Sequence, residues 1–141
     1  MNAKEYLLQY KRIMIRIEIA EKQLESIREE RNSITITLDG MPRNTVVSDK
    51  TAKLATLLAD IECEIIEMRS KAWSKKMEII RTLDNVTDPL HHRLLILRYV
   101  ECKKWEEIAV IMGYTYQWVA GSLHSNALQE VQKILNRRNN E

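Results

Sequence analysis

Tyr6, Tyr10, Ile13, Ile17, Ala20, Leu24 and Ile27 follow one another in alternating steps of four and three. That is a heptad seam, and it predicts a helix over residues 4–31. A helix of roughly 28 residues is about 42 Å long. Met14, Ile15 and Ile19 broaden the apolar face, while Lys11, Arg12, Arg16, Glu18, Glu21, Lys22, Glu25 and Glu29 occupy the other side. A second seam runs through Leu54, Leu58, Ile61, Ile65, Met68 and Ala72, and Ile79 and Leu83 continue it. It predicts a helix over 48–83, with Ser48 as N-cap.

Between the two seams, residues 34–47 contain the breakers Gly40 and Pro42. The alternating run 34–38 has strand-like spacing but no partner strand nearby, so it reads as an extended loop. Two amphipathic helices joined this way are expected to pair as a long antiparallel hairpin over residues 1–84, with its loop near 34–47. Each stripe needs the other, or a second copy, to leave water. A homodimer through the hairpin is the expected oligomer.

The pattern shortens after residue 84. Asp88 is an N-cap and Pro89 suits a first helical position. They predict a helix over 89–100 with Leu90, Leu94, Leu97 and Val100 inward. Residues 103–112 form the next helix, and Thr115 caps a fifth that reaches residue 134 or 135. The expected domain covers 88–136, a three-helix bundle, and 137–141 is a frayed tail. The fold class is therefore all-α: the coiled-coil-like hairpin plus the C-terminal bundle.

The spacing inside that bundle is that of a helix-turn-helix. Ile108, Ala109 and Met112 precede Gly113, and Val119 and Leu123 follow it. A side chain larger than Ala109 would push the two helices apart, and Gly113 can take φ > 0 at the turn. Val119 then points back into the angle between the helices. Such a motif lays its second helix in the major groove. Helical spacing places Gln117, Gly121 and His124 outward, flanked by Trp118, Ala120 and Ser125. Gln117 suits a bidentate pair with adenine, and Gly121 lets the helix backbone approach the duplex. The hydroxyls of Thr115 and Tyr116 reach for phosphates. Lys103 and Lys104, at the start of the fourth helix, suit backbone contacts. The partner so implied is double-stranded DNA.

Residues 108–129 hold no Lys, Arg, Asp or Glu. Phosphate neutralisation must then come from Arg93, Arg98, Lys103, Lys104, Lys133, Arg137 and Arg138. Tyr114, Tyr116 and Trp118 also make a plausible aromatic face for a protein partner. His91 and His92 read as solvated, Trp105 as the anchor of the fourth helix on the third, and Arg98–Tyr99 as a stacking pair at the core edge.

The formal net charge is +2, with 45% hydrophobic and 30% charged residues, three Gly and two Pro. Near-balanced charge implies neither a membrane-surface role nor strong unspecific nucleic-acid attraction. No apolar run is long enough to span a bilayer, and the N-terminus is not signal-like. Cys63 and Cys102 lack metal-ligand spacing, so two reduced thiols in a cytoplasmic protein are expected, without metal or cofactor. A zinc site using Cys102 with His91 or His92 lacks the remaining ligands. No Gly-rich phosphate loop or paired acid and base marks an enzyme.

The words Leu94-Leu95-Ile96-Leu97-Arg98-Tyr99-Val100-Glu101, Trp105-Glu106-Glu107-Ile108-Ala109 and Met112-Gly113-Tyr114 resemble the promoter-reading fourth region of bacterial sigma factors. With Tyr6-Leu7-Leu8-Gln9-Tyr10, Ser33-Ile34-Thr35, Met41-Pro42-Arg43 and Ser48-Asp49-Lys50, nearly the whole chain resembles small sigma-factor-like, ArpU-like regulators of phages and prophages of Gram-positive bacteria. The resemblance implies regulation of phage gene transcription, late genes in particular, by promoter-proximal DNA binding with RNA polymerase as a partner. It assigns no role to the Met41-Pro42-Arg43 loop. The family is usually basic where this chain has Tyr116, Gln117 and Trp118. The other class to weigh is a phage packaging adaptor similar to small terminase subunits, which also join a helix-turn-helix to helical oligomerisation. A ring of eight or more subunits would mark that class.

Overall fold

The computed structural model describes residues 1–38 and 45–141, with side chains described for residues 1–33 and 49–141. The fold is all-α, and no strand occurs among the described residues. Helix α1 spans Ala3–Leu38 and α2 spans Thr45–Leu83. Asn2 starts α1 with a reciprocal capping box. Its Oδ1 accepts the Glu5 N–H at 2.8 Å, and Glu5 Oε2 accepts the Asn2 N–H at 3.3 Å.

Both helices outrun the expected boundaries. The stretch 34–38 is helical rather than an extended loop, and α2 begins at Thr45, so Ser48 lies inside it and is not its N-cap. Starting a helix is the costly step and lengthening it is cheap. A rod already some thirty residues long carries its β-branched end along. Gly40, Pro42 and the Met41-Pro42-Arg43 loop lie outside the described residues.

The chain divides into two compact units, Met14–Lys71 and Met1–Ile13 with Ala72–Glu141. In the first, Ala20 and Leu24 of α1 meet Leu58, Ile61 and Ile65 of α2, flanked by Ile27 and Met68. These are seam positions. Arg28 pairs with Glu62 at 2.8 Å, and Arg69 pairs with Glu21. Such exposed pairs contribute about 0–1 kcal/mol each, so the apolar seam dominates. Met14, Ile15 and Ile19, expected to widen the face, stay exposed, as do Leu57 and Ile66.

The other unit gathers the first turns of α1, the end of α2 and the three C-terminal helices. Helix α3 runs over Pro89–Leu95 and continues through a π-helical turn, Ile96–Val100. Asp88 caps it, its Oδ1 accepting the Leu90 N–H at 2.9 Å. Helix α4 is Trp105–Met112. Helix α5 starts at Tyr116–Trp118, passes through a π-helical turn at Val119–Leu123 and continues over His124–Asn139. The expected frayed tail is therefore helical to Asn139. Arg137 and Arg138 in its last turn complement the negative end of the helix dipole.

Leu7, Ile79, Leu83, Leu94, Leu95, Ile108, Val119, Leu123, Ala127 and Val131 build this unit's core. The N-terminus is fastened to it twice. The Ala3 N–H donates to Gln132 Oε1 at 2.8 Å, and the buried hydroxyls of Tyr6 and Thr82 bond at 2.9 Å. Leu90, expected inward, is exposed, and Leu95 and Tyr99 are buried in addition to Leu94 and Leu97. Leu90 and Leu95 lie before the π turn, which bears only on Tyr99 within it. The Glu101 N–H reaches back five residues to the Ile96 carbonyl at 2.9 Å, which turns the following positions relative to α-helical spacing.

Candidate nucleic-acid interface

The segment from α4 to α5 is built on local backbone chemistry. Gly113 ends α4 with φ +74°, and the N–H groups of Gly113 and Tyr114 both bond the Ala109 carbonyl, at 3.0 and 3.1 Å. A side chain would be strained at that φ. Thr115 starts α5, its Oγ1 accepting the Trp118 N–H at 3.3 Å. Ile108, Ala109, Val119 and Leu123 are buried, and Met112 packs against the same core half-buried. Helix α4 contacts both the first turn of α5 and its π turn.

Tyr116, Gln117, Trp118, Gly121 and Ser125 are all exposed. They form an uncharged strip, and a Cβ built on Gly121 meets no atom within 4 Å. The strip is rich in groups that can read a partner: a primary amide, two hydroxyls, an indole and bare backbone. Tyr114 and Trp118 lie with ring centroids 4.5 Å apart.

His124 is the exception to the expected outward set. Its Nε2 lies 2.6 Å from the Tyr99 hydroxyl, its ring stacks on Tyr99, and Trp105 meets it edge-on at 4.6 Å. The π turn is again the reason. The His124 N–H reaches the Val119 carbonyl, five residues back. The wider turn holds the ring toward the side that carries Val119 and Leu123. The buried run Val119, Leu123, Ala127, Val131 and Leu135 carries the signal of this turn in the sequence. In an α-helix each four-residue step drifts about 40°. A run of fours with no three therefore needs a wider turn somewhere to keep one face inward.

Burial, then the positive charges of Lys4 and Arg98, push His124 down from 6.5 to about 4. Burial also pushes the Tyr99 phenol up to about 12, against the pull of Arg98. His124 is thus neutral in the fold. Its folded value lies below its unfolded one, so its contribution to stability is present above pH 6.5 and is lost as pH falls toward about 4. Urea unfolding across this window should show a smaller loss of stability on acidification for His124→Phe than for the wild type. Equal losses would mean that His124 does not carry the effect.

Lys103 and Lys104 stand in the turn just before α4, the first half-buried and the second exposed. Arg98 binds the Lys103 carbonyl through Nη1 at 3.0 Å and stacks over Trp105, its guanidinium carbon 4.5 Å from the ring centroid. Trp105 therefore does join α4 to α3, and the partner on Tyr99 is His124 rather than Arg98.

The cations at the far end of α5 are in a different setting. Lys133 and Arg137 rim a cleft of about 460 Å³ that also holds Asp88, His91 and Glu130. Glu130 accepts from the Thr87 N–H at 2.8 Å and its hydroxyl at 2.9 Å, and lies 2.8 Å from His91 Nδ1. Burial pushes the Glu130 carboxyl up, but the hydrogen bonds from His91 and Thr87 outweigh it and hold it below the usual range. That carboxylate is ionised beside Lys133 and Arg137, which makes this end a poor phosphate site. His91 is a latch between α3 and α5, not a solvated side chain.

Exposed Val110 and Ile111 on α4, at 82% and 42%, were not singled out by their spacing. They add exposed apolar side chains on α4, next to the turn that leads to Tyr114, Tyr116 and Trp118 in the sequence. Both cysteines are free thiols. Among the described residues, no group of three or more His, Cys, Asp or Glu is placed to hold a metal ion. No helix there is long and apolar enough to cross a membrane. Comparison with protein-family models, curated proteins and solved structures finds no match to this chain.

Proposed function

We propose that this protein is a non-enzymatic, sequence-specific DNA-binding regulator of phage gene transcription, acting near promoters with RNA polymerase. In this reading α4, the Gly113 turn and α5 are a helix-turn-helix within a three-helix bundle. α1 and α2 are an antiparallel hairpin that serves dimerisation. The single observation that carries the reading is the open strip of α5. Tyr116, Gln117, Trp118, Gly121 and Ser125 face solvent while Val119 and Leu123 on the opposite side are sealed in the core. A helix buried on one side and left polar, uncharged and glycine-relieved on the other suits a groove wall of base edges. Gln117 reads adenine, Gly121 admits the backbone, and Lys103 and Lys104 hold phosphates.

A gel shift on phage promoter fragments tests this. Specific complexes should form, and Gln117→Ala should cost about 1–3 kcal/mol at one base position while leaving unspecific binding in place. Unchanged sequence preference in the variant would remove α5 as the reader.

A second reading rests on Val110, Ile111, Tyr114, Tyr116 and Trp118, five large apolar or aromatic side chains left exposed within nine residues of sequence. Contiguous exposed apolar surface marks protein contacts. A chain that binds no promoter fragment at low salt, yet loses a protein complex on Val110→Ser, would favour it.

A further inference from the structure

Resting on the part of that reading in which the hairpin serves dimerisation, we infer that a second copy of this chain docks antiparallel on the outer face of α2, about a two-fold axis at Ile66. The seam of α2 meets α1 through Leu58, Ile61 and Ile65. Ile66 is turned away from that seam and is 67% exposed. Trp73, seven residues further along the same helix, is 63% exposed. Seven residues bring a helix back to within about 20° of the same direction, so Ala59, Ile66 and Trp73 form one stripe. Ala59 is exposed as well. A lone exposed isoleucine is ordinary, but a stripe that leaves both an isoleucine and a tryptophan in water marks a contact surface.

The charges around the stripe choose its occupant. On the helix surface Ile66 neighbours the residues three and four away on either side, Glu62, Cys63, Arg69 and Ser70, and all four are exposed. Helical geometry puts Glu62 and Arg69 on one flank of the stripe and Cys63 and Ser70 on the other. In an antiparallel pair centred on Ile66, that residue meets its own copy and Trp73 lies on the small Ala59. Glu62 meets the partner's Arg69, Cys63 meets the partner's Ser70, and the symmetry makes each contact twice. A parallel pair would set Glu62 on Glu62 and Arg69 on Arg69. Both charged side chains are already anchored, Glu62 by Arg28 at 2.8 Å and Arg69 by Glu21. Docking therefore links separate pairs into a network of alternating sign, which contributes more than isolated exposed pairs do. The outer side of α1 is not self-complementary in this way. Its exposed Ile15 and Ile19 are ringed by Lys11, Arg12, Arg16 and Lys22, and a copy laid antiparallel there brings Lys11 against Lys22. A contact of a few helical turns is at the small end of specific interfaces, so the dimer should form at micromolar concentration.

Analytical ultracentrifugation of the full chain through the micromolar range tests this. Wild type should be a concentration-dependent dimer. E62R and R69E each set like charges face to face twice, so each should raise the dissociation constant by about tenfold or more. An equimolar mixture of the two variants should dimerise again, because one chain is then basic at both positions and the other acidic at both. Ile66→Glu, which leaves the seam untouched, should be monomeric, and circular-dichroism melts confirm that every variant is folded. The inference is overturned by a wild type that stays monomeric or assembles beyond a dimer, by a dimer that survives Ile66→Glu, or by a mixture that stays monomeric. The promoter gel shift is read separately. A monomer that still shifts a fragment overturns this contact and leaves DNA binding standing. A dimer with the expected charge pairing that shifts no fragment overturns the DNA-binding reading and leaves this contact in place.

Discussion

Leu7→Ala is expected to destabilise the C-terminal helices by about 2–5 kcal/mol, although it lies more than eighty residues before them in the chain. Leu7 is fully buried, in one cluster with Ile79, Leu83, Leu94, Leu95, Ile108, Val119 and Val131. Removing its isobutyl group leaves a cavity among residues contributed by every helix of that unit. Tryptophan fluorescence isolates the effect, because Trp73, Trp105 and Trp118 are the only tryptophans and all belong to the unit that contains Leu7. Their urea midpoint should fall with unchanged slope. The same logic predicts that a fragment of residues 88–141 shows no cooperative melt. It lacks Leu7, Ile79 and Leu83, the Tyr6–Thr82 hydroxyl bond and the Ala3–Gln132 bond. A fragment that small buries too little surface to make good the loss. A sharp thermal transition from it, or a wild-type midpoint in Leu7→Ala, would show that the N-terminal turns are dispensable.

This dependence was only half legible from the spacing of residues. The two seams were plain because heptad periodicity is a local signal. Ile17, Ala20 and Leu24, and Leu58, Ile61 and Ile65, are buried where their steps placed them. The Gly113 turn and the Asp88 and Thr115 caps were equally plain, since each is settled by a residue's own φ preference or side-chain oxygen. The destination of the first two turns of α1 was not. Tyr6 and Tyr10 continue the seam without a break, and nothing in their spacing tells that their partners are Thr82 and Lys76.

The candidate interface divides the same way. Exposure of Tyr116, Gln117, Trp118, Gly121 and Ser125 follows from simple helical geometry. The inward turn of His124 depends on one i→i−5 bond, which the drift in the apolar run foreshadows but does not locate.

Gly121→Ala should separate stability from binding, raising one and lowering the other. Glycine inside a helix costs about 0.5–1 kcal/mol relative to alanine, through the freedom it loses on folding. At position 121 the new methyl group meets no atom within 4 Å, so nothing in the fold offsets that gain. The melting temperature should rise by a few degrees. The same methyl group projects from the open strip between Gln117 and Ser125, where the proposal places the duplex. Holding α5 back from the groove weakens the Gln117 pair, an interaction worth about 1–3 kcal/mol, so affinity for a promoter site should drop by about tenfold. Differential scanning calorimetry and a binding titration on the same preparation read the two effects. A variant that is both more stable and equally tight would mean that the backbone of α5 does not approach DNA at this point. That result would move the reading surface away from Gly121. Opposite signs in the two measurements are hard to obtain from a glycine that only serves the fold, because a structural defect would lower stability and affinity together.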